Sequence, residues 1–409
     1  MKKALVIIFT TLALFFACKK SSAPGETTPP PPAIVITGFS PTSAAVDSTV
    51  TITGNNFSSQ VSGNTVKFNG TTAVVVSATA EKLVVVVPAG ATSGKVTVTV
   101  GSQTATSSSD FIVAVISDKW ISKKDFPDGA RAGATAFAIG DKIYIAGGQK
   151  GSVSEMDFWE YNITSNAWTQ KGDFAGGFDR GFGFSIGTKG YIVMMNGSDR
   201  LWEYDPGADT WTPKKDFPGP TRIDGITFSS ATKGYVGLGN LYGNFFDLWE
   251  YDPASDAWTQ KKDFPGTTPD DAVCFVVGNF AYVGTGTDGL TDANGSKKFY
   301  KYDMVNDAWS SIADFAGVGR RAAAGFAIGS KGYVGTGINT SGQMVKDFWE
   351  YDPSSDIWTQ KADYPAIRMS AFGFSSNNKG YFTSGLGDTH QIEPGLTVSA
   401  WGDVWQYVP

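Results

Sequence analysis

The chain has 409 residues, a formal net charge of −6, two cysteines and one histidine. That length allows two or three domains with a large core, and an acidic balance without a basic block argues against nucleic acid and against polybasic docking on a membrane. So few histidines and cysteines leave no metal-spaced cluster; there is also no Ser/His/Asp set and no phosphate-cradling glycine loop, so neither a metal nor a cofactor is expected.

Residues 1–17 carry Lys2 and Lys3, an apolar run from Ala4 to Phe16, and then Ala17-Cys18. The run is too short to span a membrane as a mature helix and reads as a secretory segment. Leu14-Phe-Phe-Ala-Cys18 resembles a bacterial lipobox. The resemblance implies a mature N-terminus at an acylated Cys18, and so an exported protein anchored to the cell envelope through lipid alone. Residues 18–32, ending in four prolines, read as a solvated stalk.

Residues 33–114 alternate Val, Ile and Thr runs with Gly, Pro, Asn and Ser turns every eight to twelve residues, which predicts a small antiparallel sandwich. Ile36-x-x-Phe39-x-Pro41, Val50-Thr-Ile-Thr-Gly54-x-x-Phe57, Val66-x-Phe68-x-Gly70 and Val87-Pro88-x-Gly90-x-x-x-Gly94 resemble an IPT/TIG domain, an immunoglobulin-like module. The role implied is that of a spacer.

Residues 115–409 repeat one phrase. Asp157-Phe-Trp-Glu-Tyr161, Arg200-Leu-Trp-Glu-Tyr204, Asp247-Leu-Trp-Glu-Tyr251, Lys298-Phe-Tyr-Lys-Tyr302 and Asp347-Phe-Trp-Glu-Tyr351 are each followed by a turn and a second Trp. That second Trp falls at 120, 168, 211, 258, 309 and 358, in steps of 48, 43, 47, 51 and 49. A period near fifty with four short strands, a to d from axis to rim, predicts a β-propeller blade. The sixth copy ends at Asp403-Val-Trp-Gln-Tyr407 without a strand d, whereas Trp120-Ile-Ser-Lys-Lys-Asp-Phe-Pro127 is a strand d without a blade. Pairing the two closes a ring of six blades and leaves no free edge. The fold class expected is therefore all-β: an immunoglobulin-like β-sandwich followed by a six-bladed propeller closed by an N-terminal outer strand. The repeats resemble the kelch family, with the glycine pair ending strand b kept as Gly147-Gly148 and varied to Gly-x-Gly elsewhere. Eleven of the twelve Trp sit at repeat positions and read as packing.

In an up-and-down blade the a–b and c–d turns leave one face of the disc, and the b–c and d–a connections the other. The c–d turns are uniform and the a–b turns short; the b–c connections vary most, which points to recognition on their face. Counting back thirteen residues from the strand-b tyrosine gives Arg131, Arg222, Arg320 and Arg368, with Arg180 eleven back. Arginines at this phase in kelch adaptors line a pocket for acidic partners, so the resemblance implies a ring of guanidinium donors at the channel mouth. The alternative is that each pairs with a neighbouring blade's aspartate and staples the ring. Blade 4 breaks the pattern with Pro269-Asp270-Asp271; the two carboxylates read as partners for the arginines or as turn caps ahead of an acid/base pair. The aspartates before strand c read as turn caps. Trp401, His390 and Tyr242 complete the candidates on the irregular loops; an aromatic there either stacks on a sugar ring or packs over the channel.

The expectation is a monomeric, non-enzymatic surface module that binds a glycan or an acidic protein segment. The alternative, implied by the resemblance to exported six-bladed kelch proteins, is a sialic-acid epimerase or mutarotase on the same face. A copper oxidase is excluded by the single histidine.

Overall fold

The structure, a computed structural model, describes residues 32–114, 118–131, 133–150, 153–174, 181–195, 197–287, 295–388, 398–400 and 402–409. Two compact units meet at residue 115.

In the first unit, strands Val35–Ser40, Thr49–Asn55, Lys82–Val86 and Thr71–Ala78 form one antiparallel sheet. Thr65–Phe68, Gly94–Val100 and Gln103–Val113 form the other. Thr71–Ala78 belongs to both, pairing with Thr65–Phe68 at its start and with Lys82–Val86 further on. Strict alternation places Val50, Ile52, Val66, Phe68, Leu83, Val85, Val96 and Val98 between the sheets, all at 1% exposure or less. Phe111 closes the core edge-on against Phe39 and Phe68.

The second unit is the six-bladed propeller that the repeats predict. Blade 5 shows the pattern: strand a Ala324–Ile328, b Lys331–Gly335, c Phe348–Asp352 and d Ile357–Lys361, each antiparallel to the next. Blade 6 takes its first three strands from Phe372–Ser376, Lys379–Thr383 and Val404–Val408. Its outer strand is Lys119–Ser122, with Trp120 opposite Tyr407 and Ser122 opposite Trp405.

Each letter of the repeated phrase has a physical task. The strand-b tyrosine hydroxyl donates to the strand-c glutamate, as Tyr235 does to Glu250 and Tyr333 to Glu350. The strand-c tyrosine hydroxyl donates to the Asp or Asn of the c–d turn, as Tyr251 does to Asp256 at 2.7 Å. That turn residue is left-handed in blade after blade (Asn166, Asp209, Asp256, Asp307, Asp356, Asp118), a conformation Asn and Asp tolerate better than other side chains. Its carboxylate also accepts the backbone N–H of Lys215, Lys262, Ala313 or Ala362 in the preceding blade. The closing indole donates back the same way: Trp258 to Lys215, Trp309 to Lys262, Trp358 to Ala313 and Trp120 to Ala362. The repeated phrase thus ties its own blade together and ties it to its neighbour.

The Lys-Gly-Tyr of strand b has a steric cause. A Cβ on Gly190, Gly234, Gly332 or Gly380 would lie about 2 Å from the ring of Phe137, Phe184, Phe275 or Phe326 in the preceding blade. Phenylalanine fills the space where glycine leaves the sheet bare, so successive blades pack closely there.

Candidate functional site

The six a strands surround an axial cavity of about 860 Å³. On the face of the b–c and d–a connections, the residue eleven before each strand-b tyrosine opens strand a. These are Gly133, Asp224, Asp271, Ala322 and Ser370, all left-handed, with φ from 52° to 63°. They reach across the blades by main-chain hydrogen bonds: Asp271 N–H to Asp224 C=O, Ala322 to Asp271, Ser370 to Ala322, at 2.8–3.0 Å. All five line the cavity. Further along, Thr227 donates to Gly183 C=O and the Cys274 thiol to Thr227 C=O. Burial pushes that thiol up to about 12, so it stays protonated.

The arginines are not a ring of open donors. Arg131, Arg222, Arg320 and Arg368 are buried, the last three completely. Arg320 grips Asp347 through both terminal nitrogens at 2.6 and 2.7 Å and donates to Thr336 C=O. Arg222 grips Asp247 and Leu238 C=O, and Arg368 grips Asp403 and Ser384 C=O, in the same way. Arg131 holds Asp157, Gly147 C=O and also Asp128. The indole N–H of Trp159, Trp249, Trp349 or Trp405 donates to the same carboxylate. An aromatic ring (Phe126, Phe217, Phe315 or Tyr364) lies under each guanidinium at 4.6–5.1 Å. The partner is the arginine's own blade's aspartate, not a neighbour's, and it is no turn cap. Burial pushes the Asp247 and Asp347 carboxyls up. The hydrogen bonds and charges of Arg222 and Arg320, with the indole N–H, outweigh it and hold both below the usual carboxylate range.

The sequence does carry a signal for this pairing. Blade 4 has Pro269 in place of arginine and Lys298 in place of the aspartate, and blade 2 has Phe178 and Arg200. Both partners are lost together. In blade 4 the Thr268 hydroxyl takes over the strand-b carbonyl, Thr285 C=O, at 2.9 Å.

That substitution leaves an acidic corner between blades 3 and 4. Asp271 pairs with Arg321 at 2.9 Å, an inter-blade bridge. Asp224, exposed and lining the cavity, was not singled out in the sequence, although it shares register with Asp271 and Arg180. Asp270 is 7% exposed and its Oδ1 has no hydrogen-bond partner. Burial, then the charges of Asp271 and Asp224, push its carboxyl up to about 7 against a hydrogen bond from the Asn240 side chain and the charge of Arg321.

Asn240 starts the b–c connection of blade 3. Ile223 and Asn240 exchange main-chain hydrogen bonds at 2.7 and 3.0 Å, Phe245 N–H returns to Gly239 C=O, and Phe245 lies under Arg222 at 4.9 Å. On this braced stem stands Tyr242, 97% exposed. Val153 and Met156 on the blade 1 connection and Val318 before blade 5 are also exposed on this face. Arg180, His390, Trp401 and Cys18 lie outside the described residues.

Residues 34–113 match the IPT/TIG domain family, and residues 130–174 match the Kelch motif. The chain is an IPT/TIG domain joined to a kelch-type six-bladed β-propeller. Among solved structures, the kelch-type chain is similar to one titled "Structure of YjhT", with a TM-score of 0.58 and 14% identity, over 69% of this chain and 95% of that chain. At that identity the likeness is one of fold. Among curated proteins, none matches.

Proposed function

We propose that this protein is a cell-envelope binding module, lipid-anchored at Cys18, which recognises a glycan on the face bearing the b–c connections. Tyr242 carries the reading. A large aromatic ring held 97% exposed on a stem braced by Asn240, Ile223 and the Arg222–Phe245 stack contributes nothing to packing. An aromatic ring that stands clear of the surface on the same face as the cavity mouth is a platform on which a pyranose stacks. The cavity mouth offers hydrogen-bonding groups in Asp224, Asp271, Ser370 and Gln149. Four of the propeller's exposed large apolar residues, Val153, Met156, Tyr242 and Val318, share this face. An acidic protein segment fits less well, because Arg131, Arg222, Arg320, Arg321 and Arg368 are engaged by aspartates and carboxylates line the mouth. A glycan panel screened by thermal shift and calorimetry tests the reading. Binding should fall at least about tenfold in Tyr242→Ala with the melting temperature unchanged. Binding that ignores Tyr242 would overturn it.

One observation favours the enzymatic alternative. Burial and the charges of Asp271 and Asp224 push the Asp270 carboxyl up to about 7, a range suited to general acid/base work on a sugar ring. The anomeric proton signals of a freshly dissolved sialic acid, followed by NMR with and without protein, decide it; an unchanged rate of anomerisation eliminates a mutarotase.

A further inference from the structure

We propose that one proton controls the connection that carries Tyr242: the connection stays in place while Asp270 is a neutral acid and opens more often once that group is a carboxylate. The geometry puts the proton at the root of the connection. Gly239 N–H donates to Pro269 C=O at 2.9 Å, which ties the end of strand b in blade 3 to the lead-in of blade 4. The next residue on each side completes the joint, because the Asn240 side chain is hydrogen-bonded to the Asp270 carboxyl. Asp270 is 7% exposed, and its Oδ1 has no hydrogen-bond partner. The joint between blades 5 and 6 is built on the same main-chain bond, Gly337 N–H to Arg368 C=O at 2.7 Å. There the next residues are Ile338 and Met369, which have no proton to lose.

Among the described residues, the charged groups facing Asp270 come from three lead-ins. Asp271 is its chain neighbour, Asp224 belongs to blade 3, and Arg321 of blade 5 is paired with Asp271 at 2.9 Å. Arg222 and Arg320 are turned to Asp247 and Asp347, and the residue opposite on strand b is the neutral Thr287. Burial and the two neighbouring carboxylates outweigh Arg321 and the Asn240 hydrogen bond, which lifts the Asp270 carboxyl to about 7. Displacing the connection carries Asn240 away and gives the carboxyl access to water, where it returns to about 4. A group that holds its proton more tightly closed than open favours the closed form fully below about pH 4. That preference drains away as pH rises to about 7. Above that, opening is at its easiest.

Amide exchange of the full chain at pH 5 and pH 8, corrected for intrinsic rates, tests this. Phe245 N–H returns to Gly239 C=O at 2.8 Å, and Val345 N–H makes the matching bond to Gly337 C=O at 2.9 Å in blade 5. Protection of Phe245 should fall at least about tenfold between the two conditions, and that of Val345 by under about threefold. Asp270→Asn keeps the shape and cannot ionise, so Phe245 should become as insensitive as Val345. Asp271→Asn removes a repelling charge and releases Arg321, so the fall at Phe245 should shrink. Equal falls at Phe245 and Val345 in the parent chain, or a fall at Phe245 that persists in Asp270→Asn, overturn the inference. As control over binding the inference rests on the glycan reading, but the measurement needs no ligand. A failed glycan screen therefore leaves the proton switch standing, and a pH-insensitive Phe245 leaves the glycan reading standing.

Discussion

Two kinds of buried aspartate coexist in the propeller, and they respond to pH in opposite directions. Asp247 and Asp347 are held below the usual range by Arg222 and Arg320. Their contribution is present above the unfolded pKa and is lost as pH falls through the lower folded value. Asp270, raised to about 7 by burial and its acidic neighbours, binds its proton more tightly folded than unfolded. Its contribution is complete below about pH 4 and drains away as pH rises toward 7. Asp270→Asn should therefore stabilise the propeller at pH 8 by on the order of 2 kcal/mol and change little at pH 4, measured by urea unfolding at both. Asp347→Ala should do the reverse of good: it leaves Arg320 charged, 0% exposed and unpaired, at about 3–5 kcal/mol. Removing Arg320 as well should restore part of that loss in the same assay. The arginines were legible in the sequence as a periodic feature, and pairing with aspartate was one of the two readings open to them; that the aspartate belongs to the same blade was not legible. Arg320 and Asp347 stand 27 residues apart, and only the folding of strand b between strands a and c brings them together. The paired absences in blades 2 and 4 were the clue within a single sequence.

At the level of the strand, the repeat predicted nearly everything that a period can encode. Aromatic alternation, turn chemistry and the Lys-Gly-Tyr signature each map onto one contact that recurs from blade to blade. Gly332 is the clearest case: a methyl there would sit 1.9 Å from the Phe275 ring. Gly332→Ala should cost about 1–3 kcal/mol by overpacking, read as a lower urea midpoint with unchanged m-value. Gly329, in the adjacent turn, has open space around its missing Cβ, although its φ of 58° still disfavours alanine. What periodicity does not encode is exception. Pro269-Asp270-Asp271 breaks the repeat, so its register gives the position of the acidic corner and not its chemistry; that depends on Asn240 and Asp224 from another blade. Tyr242 was visible as an aromatic on an irregular loop, but its exposure follows from contacts made by Ile223 and Phe245 that no spacing rule supplies.

For the whole molecule, closure was written in the sequence as a missing strand at one place and a spare strand at another, and Lys119–Ser122 pairs with Val404–Val408 accordingly. A chain beginning at Lys124 should lose this edge, together with the Trp120 contacts to Phe348, Tyr364, Phe382 and Tyr407. Its melting temperature should drop by about 10 °C or more, with amide exchange fastest in Val404–Val408. The closing strand is also the first part of the propeller reached from the sandwich side of the chain. Tension arriving along the backbone from that side is therefore delivered to the seam of the ring before it reaches any other blade. One short strand, the Asp118 carboxylate and one indole stand between a tug on the tether and an opened disc, so the clasp that completes the circle is also where a mechanical pull would undo it.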